Sequence, residues 1–378
     1  MCDNRAMSSP LTPQQLEAIN RKIADRSNVF YWQTDRLITP QEAGAIWADR
    51  HRNLEDSDII AAVNAVLPDD PVASLAPLDP AAQTSLGNVN SVRLATRVSG
   101  TEVIIRIHPR GVYNGYFYAE SAASQKAMDA GLPAFKTYII HELANPNDFA
   151  FQVCQKLPGD AMQVWLAKHP EDEAKLLFDI GVCMAKLHKL SVTGFGPFDN
   201  QKAKDGDLVG LHDTFAGAVR AGLAFNLKTL VERDIITKAQ GAAVDKLLSM
   251  DNPLLGCKKP TLIHNDFADW NALTDGQKIT GMIDWDECVA GDPVADIACW
   301  STFFEPERLA GMLKGYWSIA DKPNDFDQKF ELLRLRYTVS KMTLRVRRYE
   351  WNPSDAIKQR IEIGKKHLAV SMQYFDIV

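Results

Sequence analysis

Four side chains stand where they could do chemistry together. His264, Asp266 and Asn271 lie within "LIHNDFADWNAL", and Asp284 lies in "MIDWDE". The strand-like runs "PTLIH" and "NAL" flank the first three, so a loop between short strands brings Asp266 and Asn271 to one side. Asp284 follows the apolar Met282 and Ile283 and therefore also falls at a strand end. Two aspartates and an asparagine offer hard oxygen donors, the set that suits Mg²⁺. Zinc would want histidines or cysteines at ligand spacing. A carboxylate left outside the metal shell can accept a hydroxyl proton. Metal plus carboxylate base is what phosphoryl transfer from ATP to an alcohol requires.

The elements that must position these residues change in texture along the chain. Thr12-Pro13-Gln14-Gln15 and Thr39-Pro40-Gln41-Glu42 each combine an N-cap, a proline at the first helical position and a glutamine or glutamate after it, so residues 1–55 read as a helical extension. A further helix is predicted over 56–67. "PDDPVASLAPLDP" carries four prolines in thirteen residues and reads as a linker. "SVRLATRV", "TEVIIRIH", "KTYIIHEL" and "FAFQVCQKL" are short and rich in β-branched or aromatic residues, which predicts an antiparallel sheet with one inserted helix, "YFYAESAASQKAMDAG". From 160 onward helical periodicity dominates, interrupted by strand-like runs only around the polar cluster. This order predicts a small sheet lobe, a large helical lobe and a ligand cleft between them.

Composition narrows the function classes. The chain has 378 residues, 46% hydrophobic and 24% charged, with a formal net charge of -6. That balance is globular and supplies no positive field for nucleic acid, so no nucleic-acid partner is expected. No apolar run of about 18 residues is present, so no membrane span is expected. Six cysteines without a C-x-x-C pair, and no signal-peptide pattern, point to reduced thiols in a cytoplasmic protein. The basic run "LRVRRYEW" reads as a solvated helix face.

"HNDFADWN" followed by "IDWDECVAGDPVADIA" resembles the aminoglycoside phosphotransferase-like small-molecule kinase family, whose pattern is H-G-D-x-x-x-x-N and then I-D-W/F-x-x-x-x-x-G-D-P-x-x-D-L-A. The match runs over about 35 residues, and the wider resemblance over 60–378. It implies an α+β, two-lobed protein-kinase-like fold: an N-lobe at 56–157 that binds nucleotide and a C-lobe at 158–378 for catalysis and acceptor binding. It implies Asp266 as the base and Asn271 and Asp284 as Mg²⁺ ligands, with His264, Asp292 and Asp296 as structural braces. Asn265 stands where the family has glycine, and asparagine tolerates a left-handed backbone. In the N-lobe, Gly87, Asn90 and Ser91 of "LGNVNSV" would cover the phosphates. Arg106 would grip them, with Glu120 as its ion-pair partner. Val153, Gln155 and Leu157 mark the adenine-binding hinge.

The resemblance implies an ATP-dependent (or GTP-dependent) kinase that phosphorylates a hydroxyl of a small molecule. An antibiotic such as an aminoglycoside is the first expectation, with surface acids Asp205, Asp207, Asp213, Glu305 and Glu307 as contacts for a cationic acceptor. A metabolite kinase of the choline or homoserine kind and a non-catalytic nucleotide-binding module are the alternatives. A protein kinase is disfavoured, because seven residues between Asp284 and Asp292 are too few for a peptide-docking segment. Monomer and dimer both remain open.

Overall fold

A computed structural model of the chain describes residues 54–77, 90–108, 116–142, 144–145, 148–351 and 353–378. The expected helical extension, save its last two residues, and Gly87 lie outside the described residues. The described residues divide into two compact units, one drawn from 46–115 and 138–155, the other from 116–137 and 156–378.

Among the described residues the smaller unit is a five-stranded sheet in the order β1-β2-β3-β5-β4, with one helix. Its strands are β1 (Val72–Pro77), β2 (Ser91–Arg97), β3 (Glu102–Ile107), β4 (Thr137–His141) and β5 (Phe151–Gln155). Helix α1 (Asp56–Val66) puts Ile59 and Val63 on one face, four residues apart, and buries both against Val103, Ile105, Phe151 and Val153. Strand β1 lies inside the proline-rich stretch that reads as a linker. It is an edge strand, pairing only with β2, so Pro77 removes no ladder bond that the sheet needs. Asn64 fastens its start, accepting from the Val72 N–H at 2.6 Å and donating to the Val72 carbonyl at 3.1 Å. Ser99 and Gly100 lie in the turn between β2 and β3, as their sequence suggests, with Gly100 at φ +84°.

The larger unit is mostly helical. Helix α2 (Phe117–Asp129) belongs with it and not with the sheet into which the sequence reading inserted it. Polar bonds fix the helix and the segment after it there: Ala119 N–H donates to Asn200 Oδ1 at 3.3 Å, and Met282 N–H donates to the Pro133 carbonyl at 2.6 Å. Two helices, α4 (Glu173–Leu187) and α10 (Pro306–Trp317), cross closely, because Gly181 meets the backbone of Met312 and Gly315 that of Phe178. Helix α11 (Phe326–Trp351) runs through the unit, with Leu332, Leu333, Leu335, Arg336 and Val339 fully buried. Arg336 survives there because its three nitrogens donate to Val219 O, Ala221 O and Asn226 Oδ1 at 2.7, 2.9 and 3.2 Å.

Short strands frame the polar cluster. With β6 (Asp160–Ala161), β7 (Phe195–Phe198), β8 (Gly210–His212), β11 (Ile279–Met282) and β12 (Val289–Gly291), β9 (Thr261–Ile263) joins the order β8-β7-β12-β9, and β10 (Ala272–Thr274) joins β11-β10-β6. β12 and β7 are strands that no strand-like run in the sequence announces. Strands of three or four residues are too short to show an alternation.

Candidate active site

β9 is buried along its whole length and ends by turning His264 and Asn265 inward. Asp296, on helix α9 (Pro293–Ser301), holds that turn. Its Oδ2 accepts from the His264 N–H at 3.0 Å and its Oδ1 from the Asn265 N–H at 2.9 Å. His188 Nε2 reaches the same Oδ2 at 3.1 Å, and His188 Nδ1 pairs with the Tyr316 hydroxyl at 2.8 Å. Burial alone would push the Asp296 carboxyl up. The His188 hydrogen bond, the His188 and His264 charges and the backbone N–H outweigh it, leaving the carboxyl below its usual value. Asn265 sits at φ +67°. Its Oδ1 accepts from the Tyr337 hydroxyl, and its carbonyl accepts from Cys299 Sγ at 2.9 Å.

His264 is fully buried between Trp285 and Phe267, at ring-centroid distances of 4.6 and 5.4 Å. Its Nε2 lies 3.1 Å from the Ile283 carbonyl, which can only accept, so Nε2 carries the proton. Burial lowers its pKa against the pull of Asp296 and Asp284. This is a brace between two loops.

Asn271 joins Asp266 directly. Its Nδ2 donates to the Asp266 carbonyl at 2.8 Å and to Asp266 Oδ2 at 2.9 Å. Burial pushes the Asp266 carboxyl up to about 7, opposed by Lys341, reinforced by Glu287 and Asp284, and opposed by the Trp270 indole N–H. Asp284 takes a left-handed backbone, φ +64°, and heads a single 3₁₀ turn at Trp285–Glu287. Glu120, 1% exposed, supports that turn by accepting from the Trp285 N–H at 3.2 Å. Asp292 caps α9 through Val294 N–H at 2.9 Å and pairs with Lys329 Nζ at 2.7 Å. It therefore fixes the helix that carries Asp296, not the loop itself.

Among the described residues no group of three or more His, Cys, Asp or Glu is placed to hold a metal ion. Asn271 Oδ1 and the Asp284 carboxylate are two oxygen donors. Mg²⁺ commonly takes one or two protein oxygens and completes its shell with phosphates and water, so this donor set fits it.

In the smaller unit Arg106 pairs across the sheet with Gln152 and donates to Gln152 Oε1 at 3.4 Å, 7% exposed. Asn90 and Ser91 are buried at the start of β2. Val153 is a core residue of β5, and Gln155 is its exposed last residue. Leu157 lies beyond the strand, in the larger unit near Gly281. The acids suggested for a cationic acceptor, Asp205, Asp207, Asp213, Glu305 and Glu307, are all exposed.

Lys341, Glu287, Trp270, Lys329 and Tyr337 surround the loop without having been singled out as site residues. Trp270 and Glu287 sit beside motif positions and were within reach. The others come from α11, far along the chain, with no local signal.

A family model for the phosphotransferase enzyme family matches residues 82–329. The chain belongs to that family. It is 27% identical over 207 residues to hygromycin-B 4-O-kinase of Escherichia coli, covering 52% of this chain and 54%, about half, of that protein. Among solved structures, aminoglycoside phosphotransferase APH(4)-Ia in ternary complex with AMP-PNP and hygromycin B superposes with a TM-score of 0.57 at 18% identity, over 81% of this chain and 98% of that one. A choline/ethanolamine kinase family protein from Mesorhizobium loti gives 0.54 at 15%, over 84% and 94%. The fold is thus the α+β, protein-kinase-like fold of small-molecule phosphotransferases. No helix among the described residues is long and apolar enough to cross a membrane.

Proposed function

We propose that the protein is an ATP- and Mg²⁺-dependent kinase that phosphorylates a hydroxyl of a small molecule. The observation that carries this reading is the Asn271 side chain bonded to both the carbonyl and the carboxylate of Asp266. That bond spends the amide nitrogen and leaves Oδ1 for a cation beside the base. Asp266 accepts the hydrogen bond of the acceptor hydroxyl, orients its oxygen in line with the γ-phosphorus, and takes its proton as the O–P bond forms and ADP leaves. Asn271 and Asp284 would hold the Mg²⁺. Bound there, the ion would supply charge neutralisation on the transferring phosphates. In the smaller unit Arg106, Asn90 and Ser91, with Gly87, are the proposed phosphate contacts, and Val153, Gln155 and Leu157 the proposed adenine contacts.

The similarity to hygromycin-B 4-O-kinase supports a polyhydroxylated, antibiotic-type acceptor. The test is mass gain of one phosphoryl group on a panel of hydroxylated antibiotics and metabolites, with ATP and with GTP. Asp266→Asn should lower kcat by roughly 10²–10⁴-fold, the usual weight of a positioned base. Wild-type turnover by that variant would reassign the base. ATP binding without ADP release on any acceptor would favour a binding module.

A further inference from the structure

The residues beside Asp266 that the reaction above does not use form one surface. Trp270 lies four residues after Asp266, and its side chain helps to hold the Asp266 carboxyl down against burial. The Trp270 ring packs edge-on against Phe303 at 5.0 Å and is tilted against Phe304 at 5.8 Å. All three rings are half-buried, so each keeps an accessible part. Lys341 Nζ stands 4.0 Å over the Phe303 ring. A chain of contacts therefore runs from the indole beside Asn271 across the Phe303 ring to an ammonium.

Lys341 differs from the other cations of this region in how its donors are used. Arg308 also lies over a ring, Phe304 at 4.3 Å, but its charge is matched by Asp269 at 2.9 Å and Glu173 at 3.0 Å. Lys329 is bonded to Asp292 at 2.7 Å and to the Gly256 carbonyl at 3.0 Å. Lys341, half-buried, makes no hydrogen bond or ion pair with a described residue, and its charge acts on the Asp266 carboxyl without touching it. The quadrupole of Phe303 stabilises it only in part. An ammonium set on an aromatic face and bonded to no described residue attracts an anionic oxygen and opposes an amine brought beside it.

We propose that Trp270, Phe303 and Lys341 form the acceptor-binding surface, and that it takes a hydroxylated ring compound carrying an anionic group in preference to a polycation. This rests on the kinase reading above and narrows its acceptor. The ring packs on Phe303 and Trp270, the anionic group meets Lys341, and the hydroxyl to be phosphorylated lies at Asp266. The exposed acids suggested earlier as contacts for a cationic acceptor play no part.

The test compares three acceptors on one pyranose scaffold, D-glucuronate, D-glucose and D-glucosamine, with Mg-ATP and the full chain. The readout is the ratio of kcat/KM for the acid to that for the amine. Because each ratio is taken within one preparation, partial loss of folded protein cancels. Wild type should favour glucuronate over glucosamine at least tenfold. Lys341→Glu should move that ratio at least roughly tenfold toward the amine, Lys341→Gln should move it part of the way, and Lys341→Arg should keep the wild-type order. Preference for glucosamine in the wild type overturns the proposal, as does equal use of the three or no use of any above the water reaction. A ratio unmoved by Lys341→Glu also overturns it and would place the lysine on the transferring phosphoryl group. The kinase reading is judged separately, by a thermal shift with Mg-ATP that Asp284→Ala should diminish. A persisting shift with no charge preference sinks only the acceptor proposal.

Discussion

Asp296→Asn is the sharpest perturbation of the loop, because it changes charge and donor pattern while keeping volume. The carboxylate accepts three bonds: Asn265 N–H on Oδ1, and His264 N–H and His188 Nε2 on Oδ2. An amide can replace only one oxygen without facing donor against donor. With its nitrogen toward Asn265 it abandons one buried N–H; turned the other way it abandons two partners. The first arrangement is the cheaper. Stranding a buried donor costs about 1–3 kcal/mol, and the remaining bonds lose their charge-assisted share of up to about 1 kcal/mol each. The expected loss is thus about 2–4 kcal/mol, against a total stability of about 5–15 kcal/mol for a typical domain. Urea unfolding at pH 7 reads it. The sign of the pH dependence follows from the depressed carboxyl. The folded value lies below the unfolded value of about 3.9. The ionised group therefore stabilises the protein above that value, and the benefit fades as pH falls through the folded one. The gap between wild type and variant should be full at pH 6 and shrink below about pH 4. A gap under 1 kcal/mol at pH 7, or one that widens on acidification, would refute the assignment of Asp296 as the brace of the loop.

Other outcomes follow from the same geometry. Asp284→Ala should leave the fold intact and raise the Mg²⁺ concentration needed for half-maximal turnover at least roughly tenfold, read by a magnesium titration; an unchanged titration removes Asp284 from the metal site. Gly315→Ala should destabilise the larger unit by about 1–3 kcal/mol, read by thermal unfolding, because the added methyl would run into the Phe178 carbonyl across the α4–α10 crossing.

The loop was legible because its candidate residues stand close together in the chain. His264 to Asn271 and Asp284 form two local words, and the roles proposed for them depend on spacing that a chain displays directly. The residues that surround the loop do not share this property. Lys341 and Tyr337 arrive on α11, whose hydropathy pattern announces a helix but not which turn of it meets Asp266. The same limit applies to the basic run at 344–351. It reads as solvated, yet Arg347 is 6% exposed and stacks over Phe225 at 5.2 Å. Strand β1 was hidden for another reason. Proline argues against a strand in general, and only the edge position, a fact of topology, makes it harmless.

Asn265 shows where motif reasoning and packing give different answers. The family pattern favours glycine there, and the left-handed backbone agrees, since a non-glycine residue at φ +67° carries strain of about 1 kcal/mol. On that ground alone Asn265→Gly would stabilise the protein. The asparagine, however, has acquired a partner. Its Oδ1 accepts from the buried Tyr337 hydroxyl, tying the loop to α11. Removing that acceptor from a buried hydroxyl costs about 1–3 kcal/mol, and glycine also adds backbone freedom to the unfolded chain, worth about 0.5–1 kcal/mol. The losses exceed the relief, so Asn265→Gly should destabilise by about 0.5–3 kcal/mol. Tyr337→Phe separates the contributions. In a double-mutant cycle read by urea unfolding, the two changes should couple by about 1 kcal/mol, because the bond can be lost only once. Additive effects would mean that the asparagine is tolerated for its backbone alone, and that its departure from glycine does not tie this loop to α11.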